Sequence, residues 1–193
     1  MVPFLTCLVL AGIHCYLGFH VLKREVIFVD LSLAQVAAFG STLAMLFGFE
    51  HKDSSTYFIS LISTFIASGL FALARRCEKY ISQEAVIGIT YAFSAASIVL
   101  VVDKMAHGAE HIKNLLVGQL LWVTWNDLLK TAIIYSVVGV LHYVYREQFL
   151  KSSSGTLKSN QGFWDFLFYA LFGVIITSSV QMAGVLQVFA YLI

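Results

Sequence analysis

Five long apolar runs, each closed by a knot of charge, leave this chain few ways to fold. Val2 to Leu22 stops at Lys23, Arg24 and Glu25, and Val26 to Phe49 ends in Glu50, His51, Lys52 and Asp53. Tyr57 to Ala74 is closed by Arg75, Arg76, Glu78 and Lys79, and Ala85 to Val102 by Asp103 and Lys104. Leu128 to Tyr145, with Lys130 near its start, gives way to a polar stretch from Arg146 to Gln161. Runs of about 20 apolar residues are the length a membrane-crossing helix needs. The alternation of period two that marks a membrane barrel is absent, so the spans are helical. Composition agrees: 59% of the residues are hydrophobic and 12% are charged, against about 25% charged in soluble domains. Twelve Lys and Arg against eleven Asp and Glu leave +1, too little for a nucleic-acid footprint. Three cysteines, Cys7, Cys15 and Cys77, form no C-x-x-C pair, which excludes a disulfide framework and a zinc knuckle. The first run lacks the basic start and short apolar core of a cleaved signal peptide. The reading is a single all-α polytopic membrane domain over residues 1–193, with about six to seven spans.

The last apolar stretch, Phe163 to Ile193, would reach roughly 46 Å as one helix, well past the bilayer core. A break is therefore expected between Thr177-Ser178-Ser179 and Gly184, with a sixth span before it and a seventh after. The chain ends on Tyr191-Leu192-Ile193 without a polar residue, and further C-terminal helices are expected. If the first span ends inside, the inner loops hold Lys23, Arg24, Arg75, Arg76, Lys79, Arg146, Lys151 and Lys158, against Lys52, Lys104, Lys113 and Lys130 outside. That excess of inner basic residues puts the N-terminus outside. Ile112 to Trp125 is apolar but too short to cross, and Trp122 and Trp125 suit headgroup depth. It reads as an interfacial or re-entrant segment on the outer face.

Small or hydroxylated residues recur on helix faces: Ser60, Thr64 and Ala67; Thr90, Ser94 and Ser97; Ala132, Ser136 and Gly139. Such stripes serve close helix packing or line a polar conduit, and packing is the commoner use. Asp30 is a carboxylate inside the apolar body of a span. It is either a functional group or a residue solvated near the inner interface. Gln35 follows five positions on, about 140° around an ideal helix, so the two share a ligand only on a distorted helix. His107-Gly108-Ala109-Glu110-His111 fits H-x-x-E-H, an inverted zinc-peptidase pattern. Its bland reading is a solvated loop; its others are metal capture at an outer mouth through His107 and His111, or a peptidase using Glu110 as well. His14, His20 and His142 lie one or two to a span, where haem ligation needs facing histidines at matched depth. Walker A, dinucleotide-binding and G-x-S-x-G strings are absent from the sequence, so any energy source belongs to a partner.

Four ordered strings carry a family resemblance. Gly12 to Gly40 (GIHCYLGFHVLKREVIFVDLSLAQVAAFG) resembles the start of metal ABC transporter permeases, the membrane subunits of zinc and manganese uptake systems. Glu84 to Ile89, then Leu115 to Leu121 with Val123 and Asp127, and then Trp164 to Tyr169 with Val180 to Ile193, resemble later segments of the same family in the same order. The resemblance implies a bundle similar to the vitamin B12-type importers. It also implies a homodimer in a bacterial cytoplasmic membrane, a separate ATPase on the inside and an extracytoplasmic metal-binding protein. No permanently bound cofactor is implied, with ATP on the partner and a divalent metal (zinc, manganese or iron) as cargo. The Arg146–Gln161 segment, with Phe149 and Leu150, would lie at the ATPase-docking helix, although its serines depart from the usual docking sequence. Family members commonly carry an Asp and a His four residues apart early in the second span. Here Gln35 takes the His position and Asp30 falls one residue upstream of its counterpart. An amide oxygen is a poor zinc ligand but serves harder cations. By resemblance, Asp30 and Gln35 belong to the translocation path.

Overall fold

The computed structural model describes residues 1–50, 53–105, 108–157 and 159–192. The described residues form α1 (Val2–Lys23), α2 (Val29–Leu46), α3 (Ser54–Arg76), α4 (Gln83–Val102), α5 (Gly108–Val117), α6 (Trp125–Val144), α7 (Arg146–Ser153) and α8 (Gln161–Leu192). A single 3₁₀ turn, Leu120–Trp122, lies between α5 and α6. Six of these helices (α1, α2, α3, α4, α6 and α8) are long and apolar enough to cross a membrane.

Local chemistry sets the boundaries. Pro3 occupies the first turn of α1, where its missing N–H costs nothing. Ser82 caps α4 by accepting from the Ala85 amide at 3.2 Å, and Thr124 and Asp127 form a reciprocal capping box at the start of α6. Gly48, at φ 91°, closes α2, with the Phe49 amide returning to Ala44 O at 3.2 Å.

α2 and α8 are the central helices: 67% of each one's apolar window is buried, against 22–39% for the other four spans. α3 packs on both, α4 lies against α2, and α1 and α6 meet on the α8 side. α2 and α3 cross closely: a Cβ on Gly40 would sit 2.7 Å from the Ser60 Cα. Ser60, Thr64 and Ala67 are buried, so the α3 stripe does serve packing. The α6 stripe does not: Ser136 is exposed, and the buried face is Leu128, Thr131, Tyr135, Val138 and His142. Charge-free small residues on a lipid-exposed helix leave its buried face undecided by composition.

Two further boundaries differ from expectation, and the expected break falls at the last residue of its segment. Arg146–Gln161 is not all loop, since its first half folds as α7. Thr177, Ser178 and Ser179 do not break α8. Their hydroxyls donate to Gly173 O, Ile175 O and Ile175 O at 2.7, 3.0 and 2.7 Å, so they are satisfied within the helix. The backbone departs from helical geometry only at Gly184, at φ 76° and ψ 165°, a conformation open to glycine. Beyond it, Val185–Leu192 spans about 12 Å at 1.5 Å per residue, so the described residues contain no seventh crossing.

Candidate functional site

Asp30 is 1% exposed, and no side chain among the described residues pairs with its carboxylate; only the amides of Asp30 and Leu31 face it. It stands in the first turn of α2, where the positive end of the helix dipole favours an anion. Burial against neighbouring helices replaces the solvated interface position that the sequence left open. Gln35, half-buried, lies further along the same unbroken helix. With α2 undistorted, the two side chains leave it about 140° apart and do not converge.

A cavity of about 350 Å³ opens at the opposite end, between α3, α6, α8 and the 3₁₀ turn. Asp53, Tyr57, Gln119, Asp127, Lys130, Ser178, Gln181 and Met182 line it. Two backbones cross beside it. A Cβ on Gly118 would strike the Ala183 carbonyl carbon and the Gly184 nitrogen, and one on Gly184 would strike the Gly118 nitrogen. Both glycines have positive φ, 70° and 76°, and the Gln119 amide donates to Met182 O at 3.0 Å. Irregular backbone at membrane depth is tolerated where protein buries it or where it lines an aqueous cavity. Next to the cavity, hydroxyl contacts tie α8 to three other helices. Tyr135 OH and Ser179 Oγ are 2.5 Å apart, Ser179 Oγ is 3.4 Å from His14 Nε2, and Thr64 Oγ1 is 3.2 Å from Thr177 Oγ1. Sequence reasoning missed Gln119, Gln181 and Tyr135. Their signal was the expected break near Gly184, which is where the cavity forms.

The histidines do not assemble as the patterns suggested. His111 is buried, with Nε2 3.1 Å from Thr42 Oγ1 of α2, while its neighbour Glu110 is exposed. The burial of His111 runs contrary to a histidine held open at an outer mouth. His107 lies outside the described residues. Among the described residues no three His, Cys, Asp or Glu side chains converge as a metal site would require. The haem pairing fails as well: His14 bonds to Leu10 O at 2.7 Å, and His142 instead meets Tyr16 OH at 3.2 Å. Tyr16 OH lies 3.1 Å from His20 Nε2 in turn.

At the end shared by Lys23, Arg24, Arg75, Arg76 and Arg146, α7 lies across the bundle. Phe149 is fully buried, stacked on the His142 ring at 4.1 Å between centroids and edge-on to Trp164. It has no surface to offer a partner, contrary to its expected docking role; it seats α7. Leu150 is 36% exposed and stays on the outward face with Glu147, Lys151 and Ser154. The serines left unexplained by sequence are inside: Ser152 and Ser153 are buried and accept from Arg24 at 3.0 and 3.1 Å. Burial pulls the Arg24 guanidinium below its ordinary pKa, with Tyr169 and Asp165 opposing.

The ABC 3 transport family model matches residues 1–193. Two solved structures are similar in fold. PsaBC from Streptococcus pneumoniae, in complex with Fab, superposes with a TM-score of 0.77 at 16% identity, over 100% of this chain and 69% of that one. A structure described as an inward-facing conformation of a metal-chelate type ABC transporter gives 0.75 at 16% identity, over 95% of this chain and 62% of that one. Against curated proteins, no relative matches by sequence.

Proposed function

The chain belongs to the ABC 3 transport family, and we propose that it is the membrane subunit of an ATP-driven importer for a divalent metal ion. The observation that carries this reading is Asp30, a buried carboxylate with no side chain to pair it, in a central transmembrane helix. Such a group is costly unless a cation or proton visits it. The cavity at the far end offers Asp53, Asp127 and the oxygens of Gln119 and Gln181, hard donors suited to a partly hydrated divalent cation. Asp30 and that cavity stand at opposite ends of α2 and α8, so an ion passing between them crosses the bundle. Gln35 is a gate or packing residue on the same helix.

The subunit performs no covalent chemistry. A separate ATPase supplies energy by favouring one of two arrangements of the helices, and Leu150 on the outward face of α7 is a contact for it. An extracytoplasmic metal-binding protein delivers the ion at the cavity, and two copies of the permease form the path in a bacterial cytoplasmic membrane. The N-terminus is outside, in keeping with the basic residues gathered at the α7 end. Zinc, manganese and iron are the candidate ions. The family match supports the metal reading over the peptidase one.

The test is Asp30→Asn in the full-length protein with its ATPase, scored by uptake of zinc, manganese and iron. Uptake of at least one should fall tenfold or more, about 1.4 kcal/mol of lost interaction, while the folded yield holds. Unchanged uptake of all three would remove Asp30 from the path.

A further inference from the structure

Arg24, Arg75 and Asp165 form a buried ionic group that the transport reading leaves unused. Arg24 Nη1 donates to Asp165 Oδ1 at 2.7 Å, its Nη2 to Ser152 Oγ at 3.0 Å and its Nε to Ser153 Oγ at 3.1 Å. Ser152 Oγ donates to the same Asp165 oxygen at 2.7 Å. Arg75 Nη1 approaches that oxygen at 3.4 Å, and Arg75 Nη2 donates to Ser152 O at 3.0 Å. The Arg24 guanidinium lies over the Phe168 ring, 4.1 Å from its centroid. Helices α1, α3, α7 and α8 thus meet at one point, with Arg24 and Asp165 almost wholly buried.

As a source of stability this is a poor device. Two cations share one carboxylate oxygen while Asp165 Oδ2 has no partner, and well-packed apolar residues often hold helices together as firmly. A planar guanidinium with every edge assigned supplies direction instead, because its donors fix the angle between what they bind. Here they fix α7 against the first turns of α8. From Gln161 to Gly184 α8 is uninterrupted, a rod of roughly 34 Å that ends at the glycine crossing beside the cavity. The outward face of α7 is exposed at one end of this rod and the cavity opens at the other.

We propose that Arg24, Asp165, Ser152 and Ser153 are positioning residues that lock α7 to α8, so that displacement of α7 by the ATPase is delivered to the cavity through α8. The proposal rests on the transport reading and adds the residues through which its energy passes. The outward face of α7 makes the contact; the buried face transmits it.

The experiment uses the full-length protein with its ATPase in proteoliposomes. Spin labels are placed at Lys151→Cys on α7 and Phe166→Cys on α8, with the three native cysteines replaced by serine. The wild-type pair should give one narrow distance, the same without nucleotide and with trapped nucleotide. Asp165→Asn and Arg24→Lys should broaden it, and metal carried per ATP hydrolysed should fall at least about fivefold while hydrolysis persists. Arg24→Lys keeps the charge but not the fork, so a narrow distance and intact ratio in that variant would overturn the proposal. So would a wild-type distance that changes with nucleotide, or an Asp165→Asn protein that melts earlier at an unchanged transport ratio. If Asp165→Asn does not fold, Ser153→Ala removes a single hydroxyl and is judged by the same two readouts. If the wild type carries no metal, the transport reading fails, and a distance left narrow by Ser153→Ala overturns the joint as well.

Discussion

The two ends of the bundle are closed by opposite means. At the basic end, side chains do the joining: a guanidinium, a carboxylate and two hydroxyls bring α1, α7 and α8 together, with Arg75 of α3 at the edge. At the other end, backbone does it: Gly118 and Gly184 cross with no room for a Cβ, held by one amide from Gln119 to Met182 O. The first joint is directional and buried, whereas the second borders a cavity and depends on the absence of side chains. Polar fasteners resist rotation between the helices they join, and a bare backbone crossing yields when one strand slides. On the proposed transport reading, the contrast leaves the molecule rigid where it is driven and adjustable where it opens.

The sharpest way to break that contrast is Asp165→Ala. It strands Arg24 in a buried site, and losing one partner of such a pair costs about 3–5 kcal/mol. The melting temperature in detergent should drop by roughly 10 °C, taking about 2–4 °C per kcal/mol for a chain of this size. A drop of only a degree or two would mean that water reaches the joint. Gly118→Ala comes next. Positive φ and backbone overlap together should cost about 3 kcal/mol, and protease should then cut between Val117 and Trp122 first. Equal protection of wild type and variant would show that the crossing is looser than its geometry. Tyr135→Phe removes one hydroxyl from the cluster beside the cavity and should cost about 1–2 kcal/mol, because Ser178 and Ser179 each lose a partner. An unchanged melting curve there would place water among those hydroxyls. Smallest is Thr42→Val, which should lower stability by about 1 kcal/mol by removing the contact to His111; a hydrogen-exchange measurement on α5 would register it as faster opening.

The spans were legible because each is a local matter. α1, α2, α3, α4 and α6 begin and end within three residues of the apolar runs that foretold them, since hydropathy and caps act over one or two turns. α2 is trimmed at both ends, where Glu25, at φ 58°, precedes it and Gly48 closes it. α7 was hidden by its composition. Ser152 and Ser153 read as linker residues until Arg24, more than 120 positions away, supplies donors for them.

What the sequence alone determined is the helical membrane bundle, the basic end of each loop pair, Asp30 as a carboxylate within a span and the need for a break before the last residues. Each follows from the cost of exposing backbone or charge to lipid, which depends on neighbours along the chain. Tertiary structure alone decided that Phe149 is buried, that His111 turns inward to Thr42, that α6 buries Tyr135 rather than Ser136, and that Gly118 meets Gly184. Those outcomes depend on which helix packs against which. Lipid is as apolar as any helix face, so hydropathy cannot rank the partners, and close packing and hydrogen bonding between distant residues make the choice.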